Sequence, residues 1–107
     1  MRSDESVVLS REEVNALIKA ILYLKFTSLD SGSLLYAGSP LINSVLDKFL
    51  AMYDYKSDWE KVFESLPEIN KKVVINKIED SEKENGHPLD EEIKELVINY
   101  CLHPYKI

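Results

Sequence analysis

The chain's only cysteine is Cys101, which excludes an intramolecular disulfide. A reducing, cytoplasmic compartment is therefore the simplest expectation. Glycine and proline are scarce, at three and four of 107 residues. That argues against an all-β fold built on many tight turns, and against long disordered stretches. No apolar run approaches the ~18 residues of a membrane-spanning helix. The apolar stretch Val7 to Leu9, after a charged start, is too short for the core of a secretory leader. Arginine is limited to Arg2 and Arg11, a poor footprint for reading nucleic acid. Histidine and cysteine together supply only His87, Cys101 and His103, whereas a structural zinc site needs four ligands. Neither a metal nor a cofactor is expected.

What the chain has in excess is acid. Nineteen Asp and Glu face thirteen Lys and Arg, a formal net charge of −6. Non-specific nucleic-acid binding rests on phosphate neutralisation by basic side chains. A basic protein suits this field better. Hydrophobic residues at 45% and charged residues at 30% are ordinary for a globular protein.

Local signals point to helices. Residues 1–8 read as a flexible tail. Ser10 and Glu13 form a capping box, with Leu9 and Val14 placed as a hydrophobic staple. Val14, Leu17, Ile18, Ile21 and Leu22 then recur at helical spacing, and the stem of Lys25 extends the stripe. The helix is expected to end near Thr27 or Ser28. Residues 29–38 read as a connection in which Gly32 and Gly38 permit positive φ, and Leu34, Leu35 and Tyr36 tuck against the core. Ser39-Pro40 restarts a helix as N-cap and first position, running through Leu41, Ile42, Val45, Leu46, Phe49, Leu50 and Tyr53. A break is expected at residues 54–56. Ser57 and Glu60 form a second capping box, opening a short helix whose inner face is Trp59, Val62, Phe63 and Leu66. Residues 68–84 fit a helix with Ile69, Val73 and Asn76 or Lys77 on one stripe and Ile78 nearby. Val73-Val74-Ile75 also suits a strand, but no second strand offers to pair with it. Asn85-Gly86 stops the segment. Asp90-Glu91-Glu92 opens a last helix with the stripe Ile93, Leu96, Val97, Tyr100 and Cys101, which Pro104 terminates.

The expected fold is all-α: a small bundle of four to five helices around a single core, in one domain over residues 9–107. No catalytic motif is legible, and no enzyme is expected. Cys101 lies on an apolar stripe at a helix end, where the negative dipole raises a thiol pKa, so it reads as a buried hydrophobe; His103 reads as solvated. Glu84-Asn85-Gly86-His87 has a Glu-x-x-His spacing, but Gly86 and Pro88 place His87 outside a helix. The expected function is a small acidic interaction module that occludes a basic protein, in the manner of inhibitors and immunity- or antitoxin-type proteins. Tyrosine suits such a surface, because its ring is apolar at one end and polar at the other. The candidate contact residues are Tyr53, Asp54, Tyr55, Glu79, Glu82, Glu91, Glu92 and Glu95. The alternative is a helical regulator touching nucleic acid through Lys71, Lys72 and Lys77. A homodimer is compatible with either, since the first helix carries more apolar surface than one small core covers.

Overall fold

The computed structural model describes residues 6–52 and 55–105, and for residues 55–58 the backbone alone. Helix α1, Arg11–Phe26, begins where the capping box places it. Ser10 Oγ accepts from the Glu13 N–H at 3.1 Å, and Glu13 Oε1 accepts from the Ser10 N–H at 2.7 Å. Such a cap contributes roughly 1 kcal/mol. Leu9 packs against the cluster that holds Val14, as the staple requires.

The connection after α1 is more ordered than its loop chemistry suggests. A 3-10 turn, Ser31–Ser33, runs into a single-turn helix α2, Leu34–Ala37. Asp30 organises it: its carboxylate accepts from the Gly32 N–H at 3.0 Å, and its carbonyl accepts from Ser33 Oγ at 2.7 Å. One helical turn buries one side. Leu34 packs on the core and Ala37 is fully buried, whereas Leu35 and Tyr36, expected to tuck in, point outward and are exposed. Gly38 does not use positive φ; it has φ −94°. Its value is close approach: a Cβ there would lie 3.3 Å from both Cys101 Sγ and the Leu34 carbonyl.

Helix α3, Pro40–Leu50, starts on Ser39 and Pro40 as expected, with Ser39 Oγ accepting from the Ile42 N–H at 3.3 Å. It stops short of Tyr53; Tyr53 and Asp54 lie outside the described residues. Helix α4, Tyr55–Val62, opens two residues before Ser57, which therefore lies inside the helix instead of capping it. Phe63 is buried just beyond the helix, and Val62, expected on the inner face, is exposed. Helix α5, Glu68–Asn85, is continuous through Val73-Val74-Ile75. Its buried register is Val74, Lys77 and Ile78. Ile69, expected on that stripe, is 69% exposed, because five residues at 3.6 per turn place it about 140° away from Val74. Gly86, at φ 81°, closes the helix in the left-handed conformation, as Asn85-Gly86 signalled. Helix α6, Glu91–Leu102, returns along α5.

Among the described residues the fold is all-α, with five helices of eight residues or more and the short α2. α1 packs on α3, α2 and α5, and α6 packs on α5 and α2. Val14, Ile18 and Leu46 form one apolar cluster, between α1 and α3. Phe26, Ala37, Val74, Ile78, Cys101 and Leu102 form another, and Leu22 packs against both. The molecule measures 44 × 39 × 22 Å. Its short dimension is about two helix diameters, so helices in this slab keep an outer face in solvent. That is why the α6 stripe divides: Cys101 is buried and Val97 half-buried, while Ile93, Leu96 and Tyr100 remain exposed. No helix among the described residues is long and apolar enough to cross a membrane.

Candidate functional site

Three places gather chemically active side chains: a buried lysine pair, the α5–α6 turn, and a cleft beside α4. The first is unusual. Lys25 is 0% and Lys77 1% exposed. A helix leaves its last carbonyls without intrahelical partners, at the negative end of its dipole. Here two ammonium groups fill those vacancies. Lys25 Nζ donates to the Ala37 carbonyl of α2 at 2.7 Å and to the Tyr100 and Cys101 carbonyls of α6 at 3.0 and 3.4 Å. Lys77 Nζ donates to the Leu24 and Lys25 carbonyls of α1 at 2.9 and 3.2 Å, and to Ser33 Oγ at 2.9 Å. Burial lowers the Lys25 pKa to about 8, against the opposing pull of Cys101 and Asp47. Burial also lowers that of Lys77 and pushes the Cys101 thiol up. Cys101 is thus the buried, unactivated thiol its stripe suggested. The lysines knit three helix ends together and face no solvent. Lys77 is therefore withdrawn from the basic cluster proposed to touch nucleic acid; only Lys71 and Lys72 stay exposed. Its position between Val74 and Ile78 on the buried side was the available signal.

The α5–α6 turn holds most of the acidic candidates. Glu82 has a side chain 13% exposed and is already engaged. It accepts from the Leu89 N–H at 2.8 Å and meets Lys94 Nζ at 3.3 Å. The Leu89 bond, above all, holds its carboxyl below the usual range, with Lys94 adding to it and desolvation opposing. Glu82 therefore shapes the turn and does not present a free charge. Glu84 is tied to Ser31 Oγ at 2.8 and 3.0 Å. Glu79, Asp80, Asp90, Glu91, Glu92 and Glu95 are exposed. Glu91 and Glu95 are one turn apart on the same side of α6 and repel each other mildly. Glu79, Glu82 and Lys83 also line a shallow groove of about 440 Å³ with Gly86, His87 and Pro88.

Of the tyrosine candidates, Tyr55 has its backbone alone described. Tyr55 opens α4, which packs on α3, and Tyr53 and Asp54 lie outside the described residues. The α4 end of the molecule adjoins the start of α5, where Asn70 Nδ2 donates to Tyr105 Oη at 3.0 Å. Glu79 and Glu82 sit on the last turns of the same 18-residue helix, some 15 Å further along at 1.5 Å per residue, and Glu91, Glu92 and Glu95 sit on the first turns of α6.

The cleft lies at that α4 end. Its volume is about 290 Å³. Leu50, Ala51, Phe63 and Pro104 supply apolar wall, Trp59 an indole, and Asp47 and Glu60 carboxylates. The aromatic side is braced from behind. Trp59 stacks on Phe63 with ring centroids 5.5 Å apart, and Tyr105 meets the edges or faces of Phe63 and Phe26 at 4.9 and 5.1 Å. His103, expected to be solvated, is half-buried with Nε2 2.7 Å from Asp47 Oδ1. The chain reversal after α6 carries it there. Among the described residues no grouping of three or more His, Cys, Asp or Glu could hold a metal ion. No protein-family model matches the chain, nor does any curated protein or solved structure match it significantly.

Proposed function

We propose that the chain is a small interaction protein that docks a basic protein partner through the exposed carboxylates at the turn between α5 and α6. One observation carries the reading: the net charge is concentrated there. Residues 79–95 hold eight acids against Lys83 and Lys94. The other eleven of the nineteen acids are matched by the other eleven of the thirteen bases. The whole formal charge of −6 thus belongs to one turn and its flanking helical ends. A pole of this kind steers a basic partner and fixes its orientation more than it adds raw affinity. The short α5–α6 connection and the Glu82 bonds to Leu89 and Lys94 support the pole, presenting it on ordered backbone.

The test is capture by the tagged full-length protein from native lysate, washed at low and at high salt, beside the variant E91K/E92K. The expected result is a basic protein retained by the wild type at low salt, shed at high salt, and lost by the variant. Salt-insensitive capture, or equal capture by the variant, would count against this face.

A further inference from the structure

The cleft at the α4 end has three features that select one kind of occupant. Its walls, Leu50, Ala51, Phe63 and Pro104, are apolar, which suits a hydrocarbon stem. Trp59 is the best aromatic surface for a cation and is braced on Phe63 in a stacked arrangement with an interplanar angle of 14°. Asp47 and Glu60 line the same cleft, and both are exposed, so negative charge stands at its solvent edge. Asp47 shares one oxygen with His103. At about 290 Å³ the cleft falls at the small end of ligand pockets, roughly 300–1,000 Å³. It has room for one long side chain and none for a peptide helix.

We infer that this cleft is the receptor for a single arginine side chain of the basic protein partner. The stem would lie along the apolar wall, the guanidinium would stack on Trp59, and its N–H groups would reach the carboxylates of Asp47 and Glu60. Arginine fits better than lysine, because its planar group both stacks and donates in a fork. The inference rests on the reading above for the nature of the partner, and adds a second, separate point of attachment.

Trp59 is the chain's only tryptophan, so its emission reports on the cleft directly. The experiment titrates the full-length protein with blocked tripeptides Gly-Xaa-Gly, where Xaa is arginine, lysine, citrulline or norleucine. Saturable change is expected with arginine, weaker binding with lysine, and binding at least about tenfold weaker with the neutral citrulline. E60Q, an exposed substitution, should weaken the arginine peptide several-fold while E91K/E92K leaves it unchanged. Heteronuclear NMR shifts around Ala51 and Phe63 give the same reading without relying on fluorescence. Norleucine binding as tightly as arginine would make the cleft a plain apolar site and overturn the inference. So would the absence of saturation with every peptide by both methods. Because E60Q spares the acidic pole and E91K/E92K spares the cleft, the two readings fail separately.

Discussion

Lysine 25 poses the sharpest question at the residue scale, because a fully buried ammonium is expensive unless its hydrogens are satisfied. Three carbonyls at two helix ends satisfy it. The linkage to pH has a definite sign. Its pKa is about 8 in the folded protein against an ordinary 10.5, so between those values the unfolded chain binds more protons, and native stability from this group rises with pH. Cys101 acts oppositely: the fold keeps its thiol protonated above the ordinary 9.0, so its contribution falls as pH climbs past that value. Comparison with Lys25→Met separates them. The difference in unfolding free energy, wild type minus variant, should grow between pH 8 and 10.5, by roughly 3 kcal/mol at most. Urea titrations across that range measure it. A flat difference would mean that Lys25 keeps its proton as well inside as outside.

Among the elements, the α5–α6 hairpin depends on Glu82. Its carboxylate replaces solvent for the Leu89 N–H and pairs with Lys94, holding together the turn that Gly86 opens at φ 81°. The folded pKa of Glu82 is lowered from 4.5. Its stabilisation is therefore present above that value and lost as pH falls through the lower, folded one. Glu82→Gln should melt earlier than wild type at pH 7, and the two melting curves should converge as pH falls below the ordinary 4.5 and through the lower folded value. Persistent separation in acid would show that the substitution acts through packing and not through charge. Amide exchange of Leu89 should also quicken in the variant at neutral pH, since the bond accepted by a charged oxygen is replaced by one to a neutral amide oxygen.

Two apolar clusters that share Leu22, and that the Trp59, Phe63 and Tyr105 rings also bridge, govern the behaviour of the whole molecule. Leu22 packs against both the α1–α3 cluster and the cluster shared by α2, α5 and α6. In the wild type, Trp59 emission, which reports beside the first cluster, and far-ultraviolet circular dichroism should trace one coincident urea transition. Leu22→Ala should destabilise by about 2 kcal/mol, a value at the low end for a leucine that is only half-buried. The variant's two probes should separate, with Trp59 leading, because α4 is attached chiefly to α3. Coincident transitions in the variant would show that the buried lysines or the Trp59–Phe63–Tyr105 rings, and not Leu22, couple the halves.

Most helix boundaries were written in local chemistry. Ser10 with Glu13, Ser39 with Pro40, and Asn85 with Gly86 act over four residues or fewer, and each is where a helix begins or ends. The concentration of acid at residues 79–95 was equally visible, since charge along a chain needs no folding to be counted. Other features required contacts between distant segments. Ser57 looked like a cap, yet α4 began at Tyr55. Lys77 looked like part of a basic surface, yet the unfilled carbonyls of α1, more than fifty residues earlier, drew it inside. Glu82 looked free until Leu89 and Lys94 closed on it. The cleft joins α3, α4 and Pro104, none of which carries its chemistry alone. Periodicity and capping act through neighbours along the chain, so the sequence by itself determined the five longer helices, whereas the single turn α2 lay in a segment read as a connection. Which polar groups are buried, paired or left facing solvent depended on the helix ends that the tertiary structure brings together, because a charge enters a core only where folding supplies its partners.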